Sequence, residues 1–168
     1  MRYVPTSLGE QFVKSHPALV DAVRDFEAWS RKSGLPEPTL TEVWRTPREQ
    51  GDIYFGLWTA LLARFRAGDG EFSSDDLELI KELSGLNEDR IREKAEQKFS
   101  WHMCRCAVDI RVKEYRLEQI AKGVRWFKSR CAGSTWELIT AAHGTGVHWH
   151  VGFRSFEWRR KFHQPEVA

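Results

Sequence analysis

From His16 to Ser33 the apolar side chains fall at Leu19, Val20, Val23, Phe26 and Trp29, a spacing of three and four that gathers them on one face of a helix. Gly34-Leu-Pro-Glu-Pro38 stops that helix, and Leu40 to Trp44 then reads as a short strand. Thr46, followed by Pro47 and Glu49, has the chemistry of a capped helix start, and the apolar positions Tyr54, Leu57 and Leu61 carry that helix to about Phe65. Gly68-Asp-Gly70 makes a turn. Ser73 or Ser74 then caps a helix whose first turn holds Asp75, Asp76 and Glu78, and a further charged helix covers roughly 87–98.

The pattern changes in the second half. Residues 106–112 alternate as a strand does, 117–129 return to helical spacing, and 136–140 and 147–153 alternate again. Helices first and strands later predict an α+β fold: a small, largely antiparallel sheet bearing the polar residues, with helices packed on one side. The chain length of 168 residues suits a single domain spanning 1–168. Within it, about 66–98 reads as a solvated helical insertion and about 154–168 as a basic C-terminal tail containing Arg154, Arg159, Arg160 and Lys161.

Net charge is +2, too close to balance to imply a nucleic-acid partner. The three cysteines, Cys104, Cys106 and Cys131, are odd in number and badly spaced for a secreted disulfide framework, which points to a reducing compartment. The first residues lack the apolar core of a signal peptide, and no segment approaches the length of a membrane span. Cytosolic synthesis without an export signal is the expectation.

Strand alternation selects the candidate chemistry. Ala107, Asp109 and Arg111 share one strand face, opposite Val108 and Ile110; His148, His150 and Gly152 share another, opposite Trp149, Val151 and Phe153. If the two strands are neighbours, Asp109 and His150 converge and His102 reaches in from the preceding loop. Two imidazoles and a carboxylate form a catalytic zinc set, with a fourth position left for water. His102-X-Cys104-X-Cys106 offers a rival nitrogen and sulfur set, but its spacing departs from the usual C-x₂₋₄-C, and buried packing thiols are the plainer expectation.

Ser100-Trp-His-Met-Cys-Arg-Cys-Ala-Val-Asp109 resembles the S-x-H-x-x-G-x-A-x-D signature of the D-alanyl-D-alanine metallopeptidases. That group includes zinc D-alanyl-D-alanine carboxypeptidases, vancomycin-resistance dipeptidases and phage L-alanyl-D-glutamate endolysins, with hedgehog domains as structural relatives. Val43-Trp-Arg-Thr-Pro-Arg-Glu-Gln50 is similar to their G-Y-R-T-x-x-E-Q segment, and His143-Gly-Thr-Gly-Val-His-Trp-His150 resembles their final ligand strand. The three motifs keep the family's order and span 43–153, about two thirds of the chain.

The resemblance implies zinc held by His102, Asp109 and His150, and a zinc-activated water that hydrolyses peptidoglycan peptide bonds involving D-amino acids. It implies that Arg45 contacts the substrate and stabilises the developing oxyanion, and that Ser100 lies beside the site, where a plain turn or cap role is the alternative. His143 either donates to a ligand or the substrate or anchors the Gly144-Thr-Gly146 turn. Two departures matter. Arg105 stands where the signature has Gly, and Val147 stands where many members carry the glutamate that serves as general base. His148 and Glu137 are the two candidates to replace that base. The alternative is a zinc-stabilised module of the same fold that binds wall peptide or a protein partner without cleaving. On the enzyme reading the protein acts at the cell wall after release, or as a phage virion component; the sequence leaves its oligomeric state open, with a monomer favoured.

Overall fold

The computed structural model of the chain describes residues 1–140 and 148–162. In chain order its elements are β1 (Arg2–Tyr3), α1 (Leu8–Phe12), α2 (Pro17–Lys32), β2 (Thr39–Glu42), α3 (Pro47–Ala67), α4 (Ser74–Leu83) and α5 (Glu88–Glu96). A 3₁₀ turn (Trp101–Cys104), β3 (Ala107–Arg111), α6 (Leu117–Arg130), β4 (Trp136–Ile139), β5 (His148–Phe153) and α7 (Phe156–Phe162) complete it. The fold is α+β. Its open sheet has five strands in the order β1-β2-β3-β5-β4, and every pairing is antiparallel except β1 with β2.

The described residues form two compact units, one built from Met1–Arg45 with those described from Ser100 to Phe162, the other from Thr46–Phe99. In the first unit β3 and β5 lie side by side in the register that the alternation called for. Asp109 pairs with His150, Arg111 with His148, and Ala107 with Gly152. The opposite face is apolar: Val108 pairs with Val151 and Ile110 with Trp149. On that face sit the aromatic side chains of α2 and α6. Phe26 packs on Phe127 with ring centres 4.5 Å apart, and both meet the fully buried Trp149, at 5.8 and 6.0 Å. Burial of such rings contributes about 1.5–3 kcal/mol each and fixes the register of the strand that carries His148 and His150.

α2 begins where Pro17 removes a backbone donor that would have no partner, and His16 Nδ1 accepts from the Ala18 N–H at 3.2 Å. The same ring lies 4.4 Å from Phe153 and 4.9 Å from Trp158. His16 is therefore a structural cap.

The second unit is helical. Thr46 and Glu49 form a reciprocal capping box at the start of α3, Ser73 and Asp76 another at α4, and Asn87 caps α5. Trp58, Leu62, Ile80, Leu83, Ile91 and Ala95 make its own small core. A side chain at Gly51 would stand 2.5 Å from Glu96 Cγ and 3.1 Å from its Cα, so glycine lets α3 and α5 approach closely. Because α3 packs with α4 and α5, this unit starts at Thr46, earlier than the segment 66–98 that polarity alone marks out. Among the described residues no helix is long and apolar enough to cross a membrane.

Candidate metal centre

His102 arrives on the 3₁₀ turn ahead of β3. Ser100, in extended conformation, caps that turn through a hydrogen bond from the His102 N–H to its Oγ, at 3.4 Å. The turn closes at Arg105, which has φ 58°, the left-handed conformation for which the resembling signature uses glycine. An L side chain there costs on the order of 1–2 kcal/mol. Its guanidinium lies over two rings, 5.4 Å from Trp44 and 5.7 Å from Phe162, contacts that offset part of that cost. The turn thus keeps a left-handed backbone at a non-glycine residue.

The turn, β3 and β5 bring three ligand atoms to one place. His102 Nε2 is 3.2 Å from Asp109 Oδ1 and 3.1 Å from His150 Nδ1, and the third side of the triangle, His150 Nδ1 to Asp109 Oδ1, is 3.1 Å. Divalent first-row metals bind such atoms at about 2.0–2.2 Å, which places neighbouring ligands about 2.8–3.1 Å apart in an octahedron and about 3.3–3.6 Å apart in a tetrahedron. Two sides of the observed triangle, at 3.1 Å, reach the upper end of the octahedral range, and the third, at 3.2 Å, lies just short of the tetrahedral one. A proton shared along one edge cannot also point along the other two. Hydrogen bonds alone therefore cannot satisfy all three edges at once. This buried group could hold a metal ion.

Burial and charge agree with that reading. His102, Asp109 and His150 are 1%, 5% and 7% exposed. Burial pushes the Asp109 carboxyl up, but the charge and hydrogen bonds of His102 and His150 outweigh it and hold Asp109 well below the usual carboxylate range. Burial likewise pulls His150 down, and the hydrogen bonds and charges of Asp109 and Glu137 reverse this, raising His150 to about 9. The site therefore stabilises positive charge where the three ligand atoms meet. With Nε2 turned to that point, His102 Nδ1–H faces the Val43 carbonyl at 3.5 Å, a contact that sets the ring's tautomer.

Around the triangle the other candidates separate. His148 shares the metal face, and its Nε2 lies 3.3 Å from Asp109 Oδ2, the oxygen not turned to the triangle. Glu137 stands behind His150: its Oε2 is 3.3 Å from His150 Nε2, the nitrogen pointing away from the triangle, and its Oε1 accepts from Arg154 Nη2 at 3.0 Å. The hydrogen bond with His150, helped by Arg154, brings the Glu137 carboxyl down to about 2 against its partial burial.

Arg45 follows β2 and gives its Nε–H to Glu42 Oε1 at 2.6 Å, with Nη2 bonded to the second oxygen of the same carboxylate. Glu42 pairs across the sheet with Asp109, so this ion pair adjoins the ligand strand. Ser100 has a structural role as the cap of the turn. His143 and Val147 lie outside the described residues. Cys104 and Cys106 are buried, and their thiols face the Trp101 and Cys104 carbonyls at 3.4 Å, outside the His102, Asp109 and His150 group.

Sequence reasoning missed Glu42, because the β2 segment is short and a bulge between Leu40 and Glu42 shifts its pairing, so simple alternation does not say which face it takes. It also placed Arg154 in a tail. Its position directly after the apolar β5 run was the available signal.

Comparison of the chain with known protein families, with curated proteins and with solved structures found no match.

Proposed function

We propose that this chain is a zinc-dependent peptidase that hydrolyses peptidoglycan peptide bonds involving D-amino acids. The observation that carries the reading is the buried triangle of His102 Nε2, Asp109 Oδ1 and His150 Nδ1, with a third imidazole, His148, on the same carboxylate. Two nitrogens and one oxygen suit zinc, and a set of three protein ligands is the catalytic kind, since structural zinc is closed by four. When bound, zinc supplies a Lewis acid for the scissile carbonyl and brings the pKa of water towards ~7.

The chain's own residues divide the remaining work. His148, steadied by Asp109 Oδ2, is the proton carrier: it takes a proton as water adds to the carbonyl carbon and delivers it to the amine nitrogen as the C–N bond breaks. Glu137 is engaged behind a ligand and is ill placed for that task, which leaves His148 as the base. Arg45, held beside the ligand strand by Glu42, supplies a rigid guanidinium for the substrate carbonyl oxygen or carboxylate. The wall peptide as substrate rests on the three sequence motifs and their order.

Val147 favours a second reading. If no group replaces the usual glutamate, the same metal domain binds wall peptide or a protein partner without cleaving it. Incubating the zinc-loaded protein with purified peptidoglycan, with and without chelator, and weighing the released fragments by mass spectrometry separates the two. The peptidase reading expects cleavage that chelator abolishes and zinc restores, and a His148→Ala protein that keeps zinc but releases nothing. A parent protein that holds zinc and releases no fragment from any wall preparation would make the binding module the correct account.

A further inference from the structure

We propose that Glu137 is a positioning residue for the metal centre, locking His150 in the tautomer whose Nδ1 faces the metal, with Arg154 and Gly152 built around that contact. The inference rests on the metal-binding part of the function proposed above, not on peptide cleavage.

The argument begins with the two nitrogens of His150. Nδ1 lies 3.1 Å from both His102 Nε2 and Asp109 Oδ1, so it is the ligand atom and must present a lone pair. The proton then belongs on Nε2, which needs an acceptor in a buried site. Glu137 Oε2, at 3.3 Å, is that acceptor. Without it the ring is free to hold its proton on Nδ1, where it blocks the metal.

The sheet is arranged to permit this one contact. On β4 and β5 the cross-strand partners are Ile139 with His150 and Glu137 with Gly152, so Glu137 reaches His150 diagonally. A side chain at 152 would stand 3.3 Å from Glu137 Oε2 and 3.4 Å from His150 Nε2, in the gap that the hydrogen bond crosses. Glycine keeps that gap open. Beyond it, the Arg154 N–H donates to the Thr135 carbonyl at 2.7 Å, which fixes the backbone from which its guanidinium reaches Glu137 Oε1. An ion pair between Arg154 and Glu137 on an edge strand, with the arginine 44% exposed, contributes little stability by itself. Its value lies in holding the carboxylate square to His150.

Zinc affinity, measured by competition with a chromophoric chelator, tests this without any need for catalysis. The cobalt(II) visible spectrum of each protein reports the ligand geometry alongside. Glu137→Ala is expected to bind zinc about 10–100-fold more weakly than the parent, with an altered cobalt spectrum. Glu137→Gln keeps an oxygen that accepts from Nε2–H, so it should recover most of the affinity and the parent spectrum. Arg154→Gln should lie between the two. Parent-like affinity and spectrum in Glu137→Ala would overturn the proposal. So would a Glu137→Gln protein with full zinc affinity whose peptidoglycan cleavage falls more than about 100-fold, since that is the behaviour of a general base. A parent that binds no zinc overturns this inference and the metal reading together, whereas a parent that binds zinc but cuts no wall peptide defeats the peptidase reading and leaves the affinity series to decide here.

Discussion

Two imidazoles and a carboxylate lie buried within 3.2 Å of one another, and the hydrogen bonds and charges of Asp109 and Glu137 raise His150 to about 9, favouring a proton there when no metal is bound. This gives a signed pH dependence. The folded-state value of His150, about 9, lies above the ~6.5 of an unfolded histidine, so its charged form adds stability fully below ~6.5 and loses it as pH rises through about 9. Metal-free protein should therefore weaken across that window in denaturant titrations. Zinc must displace the same proton, so its apparent affinity should rise roughly tenfold per pH unit in the same window and level off above about 9. An affinity independent of pH between those limits would mean that His150 is not the ligand.

The buried group of His102, Asp109 and His150 was legible in the sequence because each member obeys a local rule, either strand alternation or a spaced motif. The role of Glu137 was not, since a diagonal contact across Gly152 depends on which strand pairs with β4 and in what register. Glu42 was hidden for a related reason, the bulge in β2.

At the scale of elements, the long amphipathic helices and the alternating strands follow from periodicity, and their ends from Thr46, Ser73 and Asn87 acting as caps. The short elements do not. β1 and α1 are too brief to show a period, and α7 reads as a basic tail because Arg159, Arg160 and Lys161 obscure Phe156, Trp158 and Phe162. Those aromatics make tertiary contacts: Phe156 meets Trp101 edge-on at 5.9 Å, and Phe162 covers Arg105, so α7 braces the turn that carries His102.

The packing of α6 against β5 bears on the site most directly. A methyl group at Gly123 would stand 2.2 Å from Trp149 Cη2 and 2.8 Å from its Cζ3, and that ring is wholly buried, one residue from His150. Gly123→Ala gains about 1 kcal/mol of helix propensity but overpacks the core by about 1–3 kcal/mol. A lower thermal midpoint together with weaker zinc binding is expected, because a displaced Trp149 drags His150 with it. A Gly123→Ala protein more stable than its parent would show that the core yields easily there.

For the whole molecule, the α+β class and the face on which the polar residues gather were readable from the order of helical and alternating segments. The division into two compact units was less so. The apolar positions of α3 pack with those of α4 and α5, and polarity along the chain does not reveal which helices share a core. The central proposal concerns the first unit: that the buried group of His102, Asp109 and His150, which could hold a metal ion, binds one. Elemental analysis of the purified protein, after chelation and reconstitution with zinc, tests it most directly. The account predicts one zinc per chain in the parent and in Cys104→Ser, and none in His150→Ala. A folded parent that takes up no metal, or a protein whose zinc is lost with Cys104 and kept without His150, would contradict it.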